Sequence, residues 1–282
     1  MKQLNQQLID AYFLEIKRHK YKKRAILIVG GCEKAGGSTI LAAQACIQAG
    51  AGATTVAVSQ NVRASFRHLL PECQTLSFMN TADLLVAVKK AAIILIGPGL
   101  GLDKYAKSVF EVVCEHVTAQ QTLILDDDAI ALYSLLEPRL LTKKVIITPK
   151  ASTWRHLAKH NTRKQTPLSL RIEQKRLAAI IVLKERQLVV CTDDEVYYSA
   201  IACADGLADD IPDSLAGLIA GFCSQLPYPI KATLVATYLY TRLLNDLKNT
   251  QHTVRPSDIN NALPRFIKKI CRAQLISQNK NR

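Results

Sequence analysis

Short apolar runs alternate with amphipathic stretches along most of this chain. Residues 25–29, 54–58, 91–96, 122–125, 144–147 and 179–184 are each four to six positions of mainly Ala, Ile, Leu, Val and Thr. Runs this short, without polar alternation, predict strands buried on both faces. Between them the apolar positions recur at helical spacing. Leu4, Leu8, Ala11 and Tyr12 predict a helix over 3–16. Further helices are expected over 39–49, 61–70 (stopped by Pro71), 81–90 with Thr81 as its cap, 104–119 and 168–178. Residues 187–191 and 195–199 flank Thr192-Asp193-Asp194 and predict a hairpin. An apolar helix is expected over 214–226, and two further helices over 233–247 and 256–269. Strand and helix alternate, with no repeat and no low-complexity linker. The pattern predicts an α/β fold with a central, mostly parallel sheet flanked by helices on both faces.

The run at 91–96 feeds Gly97-Pro98-Gly99-Leu100-Gly101. Three glycines in five positions remove the side chains that would hold a ligand off the backbone. Ligands of open α/β sheets bind just past the carboxyl ends of the strands. The same residues would also serve a tight turn that needs positive φ, and pattern alone leaves both open. A second glycine-rich turn, Gly30 to Ser38, leads from a strand into a helix and could offer backbone N–H groups to an anion. It lacks the Gly-Lys-Ser/Thr ending of a Walker A loop.

With 282 residues, 49% of them hydrophobic, the chain is long enough for a large core. The expected division is an N-terminal helix and basic segment over 1–24, one α/β domain over 25–270, and a basic tail over 271–282. No segment reaches the length of a membrane span, and the N-terminus lacks the features of a signal peptide. The eight cysteines form no CxxC pair and sit singly. That distribution suits buried thiols in a cytoplasmic protein, with neither disulfides nor a zinc site expected. The net charge of +14 favours polyanionic partners such as nucleotides. No nucleic-acid motif accompanies the charge, so nucleic acid is not the expected partner.

The order of motifs resembles the ADP/ATP-dependent NAD(P)H-hydrate dehydratases, a branch of the ribokinase-like superfamily. It is carried by His19-Lys20, Gly30-Gly31, Gly37, Leu70-Pro71-Glu72, Ile96 to Gly101, Leu125-Asp126 with Asp128-Ala129, Thr148-Pro149, Val182-Leu183-Lys184, and Asp213 with Gly217. Ser257-Asp258 and Leu263-Pro264 complete the series. The resemblance implies a ribokinase-like fold and repair of NADH or NADPH whose nicotinamide ring has added water. ADP or ATP, with Mg²⁺, would phosphorylate the new hydroxyl, and elimination would restore the ring. It implies Asp213 as the base. It implies nucleotide or dinucleotide contacts at Gly37, Gly97, Pro98, Gly99, Leu100, Gly101, Asp126, Asp128 and Lys184. A homo-oligomer is also expected.

The chain departs from the family pattern at polar and glycine positions. The family's Gly-Thr-Gly-Asp phosphate loop falls on Asp210-Ile211-Pro212-Asp213. Pro212 has no N–H to donate, and Ile211 disfavours positive φ. Asp209 and Asp210 bring negative charge toward an incoming phosphate. Asp213 is open to two readings, catalytic base or helix N-cap. The family's His-Pro-Gly-Glu falls on Lys150-Ala151-Ser152-Thr153. These losses set up an alternative, a non-catalytic homologue that binds a nucleotide or dinucleotide. Asp126 and Asp128 could meet Mg²⁺ or cap a helix. Lys184 could meet a phosphate or stand in solvent. Trp154 is expected as a surface aromatic. His156 and His160, one turn apart, lack a third ligand for a metal.

Overall fold

The computed structural model describes residues 1–18, 24–159, 166–200 and 213–280, apart from the side chains of 13–18, 213 and 271–280. His19, Lys20, His160 and residues 201–212, Asp209 and Asp210 among them, lie outside the described residues.

The first half runs β1 (Lys2–Leu4), α1 (Gln6–Arg18), β2 (Ile26–Val29), α2 (Gly36–Gln48), β3 (Thr54–Val58), α3 (Arg63–Leu69), β4 (Gln74–Ser77), α4 (Thr81–Lys90), β5 (Ile93–Ile96), α5 (Lys104–His116) and β6 (Thr122–Leu125). The second half runs α6 (Asp127–Leu136), β7 (Val145–Ile147), α7 (Ala151–Leu157), α8 (Pro167–Leu177), β8 (Ala179–Leu183), β9 (Val189–Cys191), β10 (Val196–Ser199), α9 (Asp213–Gln225), α10 (Pro229–Lys248) and α11 (Pro256–Lys280). The strands form one sheet in the order β1-β10-β9-β8-β7-β6-β5-β2-β3-β4. β9 pairs antiparallel with both its neighbours, and every other pairing is parallel. The expected mostly parallel α/β sheet and its hairpin are therefore present. No described helix is long and apolar enough to cross a membrane.

The central strands bury both faces, and their side chains alternate between two cores. Ile26, Ile28, Ile93, Leu95, Ile124 and Ile146 point to one core, shared with α2, α9, α10 and α11. Leu27, Val29, Ile94, Ile96, Leu123 and Leu125 point to the other, shared with α4, α5 and α6. This is the period-two geometry of a strand, and it explains the unbroken apolar runs. Each fully buried Ile or Leu contributes roughly 1.5–3 kcal/mol relative to exposure.

Several elements differ from the sequence expectations. β1 and β4 are short edge strands without an apolar run. The helix expected over 61–70 is a 3-10 turn, Gln60–Val62, followed by α3. Asn80, rather than Thr81, caps α4, its side chain accepting from the Asp83 amide. Trp154 is not a surface aromatic but is 2% exposed, because α7 turns it into the second core.

Candidate functional site

The site gathers at the carboxyl ends of the parallel strands. Gly97 to Gly101 follow β5 and are woven into both neighbours. Gly97 donates its amide to Val29, Gly31 to the Pro98 carbonyl, and Cys32 to the Gly99 carbonyl at 2.7 Å. The Thr39 hydroxyl of α2 donates to the Pro98 carbonyl at 2.5 Å. Gly97 has φ +126°, and a Cβ there would lie 1.8 Å from the Asp126 carbonyl oxygen. Both the backbone angle and the space exclude any other residue. Leu100 is buried in the second core and anchors the loop.

Beside this loop opens a cavity of about 580 Å³. The loop lends it Leu100 and Gly101, and Cys32 and Lys34 come from the turn after β2. Phe78 and Tyr105 close it from the segments after β4 and at the start of α5. Its walls thus come from the second-core side of the sheet.

On the other side of the loop, α2 and α9 lie in contact. A Cβ on Gly217 would sit 1.9 Å from the Ala42 carbonyl oxygen, and one on Gly221 would sit 2.7 Å from that of Cys46. Gln225 then donates to the Ala49 carbonyl. Contacts that advance together along both chains mean that the helices run in the same direction. Their N-termini, and the positive ends of their dipoles, therefore lie at the same end of the pair. Gly37 is exposed in the first turn of α2, with nothing near its Cα–H. The α2 N-terminus has no side-chain cap and no acidic residue in its first turn. Asp213 opens α9.

Asp126 follows β6 and is fully buried. Its Oδ1 receives the Lys184 ammonium at 2.5 Å and the Thr148 hydroxyl at 2.5 Å. The ends of β6, β7 and β8 are thereby tied by one carboxylate. Lys184 is only 3% exposed, which corrects the reading of a solvated lysine. The other oxygen, Asp126 Oδ2, is buried with no hydrogen-bond partner among the described residues. Asp126 occupies the N-cap position of α6 but makes no side-chain cap. Asp128 instead accepts the Gly101 amide at 2.8 Å, tying α6 to the glycine loop. Two sets of expected site residues are thus brought together, Asp126 with Lys184 and Asp128 with Gly101.

Asp127 lies between these two, at φ +41°. Burial first, and then the neighbouring Asp126 charge, raises its pKa, while Lys150 at 3.8 Å opposes the shift. Every carboxylate of the triplet is therefore engaged by an ammonium or an amide. No group of three His, Cys, Asp or Glu among the described residues is placed to hold a metal ion. Thr153 stands where the resemblance places a carboxylate. Mg²⁺ is commonly held by one or two carboxylates together with substrate phosphates. Of the two carboxylates expected here, Asp126 meets Lys184 and Thr148, and Asp128 meets the Gly101 amide. The groove past β7 and β8 is instead basic, about 410 Å³ in volume and lined by Lys150, Arg155, Lys184 and Arg186 with Glu185.

The sequence reading missed Cys32, Lys34, Phe78 and Tyr105 as cavity residues, although Cys32 and Lys34 lie in the glycine-rich turn it singled out. It saw Thr148 only as part of a motif, not as a donor to Asp126.

The sequence profile of the NAD(P)H-hydrate dehydratase family matches residues 26–265. The ADP-dependent (S)-NAD(P)H-hydrate dehydratase of Listeria monocytogenes is 33% identical over 254 residues, 90% of this chain and 91% of the relative. The enzyme of that name from Enterococcus faecalis is 31% identical over the full length of both chains. The crystal structure of a ribokinase-like superfamily protein from Enterococcus faecalis superposes with a TM-score of 0.86, at 30% identity over 96% of each chain. An ADP/ATP-dependent NAD(P)H-hydrate dehydratase from Bacillus subtilis, co-crystallised with ATP/Mg²⁺, shares the fold with a TM-score of 0.77 at 20% identity, covering 95% of this chain and 98% of that one. The matched profile spans β2 to β10, the glycine loop and the helix pair described above, and the chain belongs to the NAD(P)H-hydrate dehydratase family.

Proposed function

We propose that this chain repairs hydrated NADH or NADPH as a nucleotide-dependent (S)-NAD(P)H-hydrate dehydratase. The observation that carries the reading is the partition made by the loop of residues 97–101. A nucleotide-sized cavity lies on one side of it, and two parallel helix N-termini lie on the other. A dinucleotide laid across the loop would place one half in the cavity and bring its reacting ring toward the helix pair.

The chemistry matches that partition. The ring hydroxyl gives up its proton as its oxygen takes the terminal phosphoryl group of ADP or ATP. Phosphate then leaves with the C–O bonding pair, and a proton lost from the neighbouring carbon restores the double bond. The sum is loss of water, driven by cleavage of a phosphoanhydride. Negative charge builds on the moving phosphoryl group, and the paired N-termini of α2 and α9 supply fixed positive ends to meet it. Asp213, first residue of α9, is the proposed base. The loop before it lacks the family's glycines, so the helix dipoles and the basic groove around Lys150, Arg155 and Arg186 carry more of the phosphate charge in this chain. The Listeria relative is named as ADP-dependent, which supports a nucleotide as co-substrate.

The test is a purified-protein assay with hydrated NADH and ADP or ATP, with and without added Mg²⁺, following the return of reduced-ring absorbance. Turnover in the wild type that is lost in Asp213→Asn is the expected result. Absence of turnover at high protein concentration, beside an active relative as control, would overturn the reading and leave a binding homologue.

A further inference from the structure

We infer that Lys34 is a specificity-determining residue, pairing with a phosphate on the non-reacting half of the dinucleotide while Tyr105 supports its base. The inference rests on the dinucleotide reading above and goes beyond it by choosing between the two forms of the substrate.

A cavity of about 580 Å³ lies in the range that encloses one drug-sized molecule. That is one half of a dinucleotide, not the whole. Its two carboxylates each hold a neighbouring amide through one oxygen. Asp103 spends Oδ1 on the amides of Tyr105 and Ala106, at 2.9 and 2.8 Å, as the N-cap of α5. Glu33 accepts the side-chain amide of Asn61. On the dinucleotide reading the cavity holds the remote half, whose binding energy can be used to position the reacting ring.

Its charged side chains are Glu33, Lys34 and Asp103. Lys34 is the single cation among the cavity residues, and it makes no hydrogen bond or ion pair among the described residues. It is exposed at the rim, beside apolar walls that include Phe78, Met79 and Leu102. Tyr105 is 51% exposed at the same rim, although an aromatic ring of this size usually seeks cover. The Lys104 ammonium lies over one face of the Tyr105 ring, 5.0 Å from its centroid. A flat purine against the other face, with a phosphate reaching Lys34, would use both groups together. NADPH carries an additional phosphate on its adenosine ribose, and NADH carries two hydroxyls there. A site favouring the hydroxyls would turn a carboxylate to them. Here Glu33 and Asp103 each already accept amides through one oxygen, while the ammonium groups of Lys34 and Lys104 stand at the Tyr105 side of the rim. The arrangement selects the phosphorylated form.

The experiment uses NAD⁺ and NADP⁺ as stable probes, with calorimetric titration of the intact protein. The wild type is expected to bind NADP⁺ about tenfold more tightly, the worth of one charge-assisted hydrogen bond. Lys34→Gln should abolish that preference by weakening NADP⁺ alone, and Lys34→Arg should keep most of it. Tyr105→Ala should weaken both probes together. The NADP⁺ preference should shrink with added salt. Equal affinities in the wild type, a preference for NAD⁺, or an unchanged ratio in Lys34→Gln would each overturn the inference while leaving the dinucleotide reading in place. Binding of neither probe would overturn that reading and this inference with it.

Discussion

Gly217 of α9 rests directly on the backbone of Ala42 in α2, so closely that a Cβ would stand 1.9 Å from the Ala42 carbonyl oxygen. Helices approach this nearly only where one presents no side chain. The contact sets the relative height of the two N-termini and so the geometry proposed for phosphate. Gly217→Ala would force the helices apart. Overpacking of this kind costs about 1–3 kcal/mol. Thermal unfolding should show a lower midpoint. Nucleotide affinity, measured well below that midpoint, should fall as well, because the displaced helix end is the proposed binding group. A variant with unchanged melting would show that the contact is not a constraint.

The Asp126–Lys184 pair is fully shielded from solvent, so its two charges depend on each other. Removing one partner of a buried pair costs roughly 3–5 kcal/mol, mainly because the remaining charge is stranded. Asp126→Asn and Lys184→Met should each destabilise by about that much in urea unfolding. The double variant should recover a large part of the loss, since no buried charge is left alone. Additive losses in the double-mutant cycle would show that each residue acts through other partners.

The central sheet was legible because β2, β5, β6 and β8 bury both faces, which leaves Thr122 as the one polar residue in these four strands. The elements that escaped are those whose burial depends on tertiary packing. β4 is Gln-Thr-Leu-Ser at the sheet edge, and half-covered edge strands need no apolar run. α7 looks polar, as Ala-Ser-Thr-Trp-Arg-His-Leu, yet only Trp154 and Leu157 need to face inward. In the site, the glycine loop was legible because close backbone approach demands glycine. The Asp126–Lys184 pair was not, because 58 residues separate its members and nothing in either local pattern marks a buried charge. Lys34 and Tyr105 escaped for the same reason. Their shared cavity exists only once β2 and β5 lie side by side.

Asp127 offers a test by pH. Burial and the Asp126 charge raise its pKa above the ordinary 3.8 in the folded protein, so the ionised form is disfavoured by folding. Its contribution to stability is full below the ordinary value and is lost as pH rises through the folded one. Asp127→Asn removes that penalty at neutral pH, and asparagine tolerates the left-handed backbone at this position. The variant should be more stable than the wild type near pH 7, with the difference shrinking toward pH 3. Denaturant unfolding across that range measures it. Greater stability of the wild type at pH 7 would mean that the Lys150 contact outweighs burial.

Thiol chemistry separates the cavity from the core. Burial pushes the thiols of Cys114 and Cys223 up to about 12 and that of Cys191 to about 11, and it raises Cys46 as well. Cys73 is pushed up to about 12 by burial and then by the Glu72 charge. At pH 8 almost none of these is thiolate, the form that reacts. Cys32 is partly exposed and lines the cavity beside Leu100 and Gly101. Brief alkylation with iodoacetamide, read by peptide mass spectrometry, should modify Cys32 well before those five. Saturating NADP⁺ should slow the modification of Cys32, because the bound nucleotide half would cover the thiol. Iodoacetamide-treated protein should also bind NADP⁺ less tightly, as the adduct occupies the same space. Rapid labelling of Cys32 that is indifferent to NADP⁺ would place the dinucleotide outside this cavity.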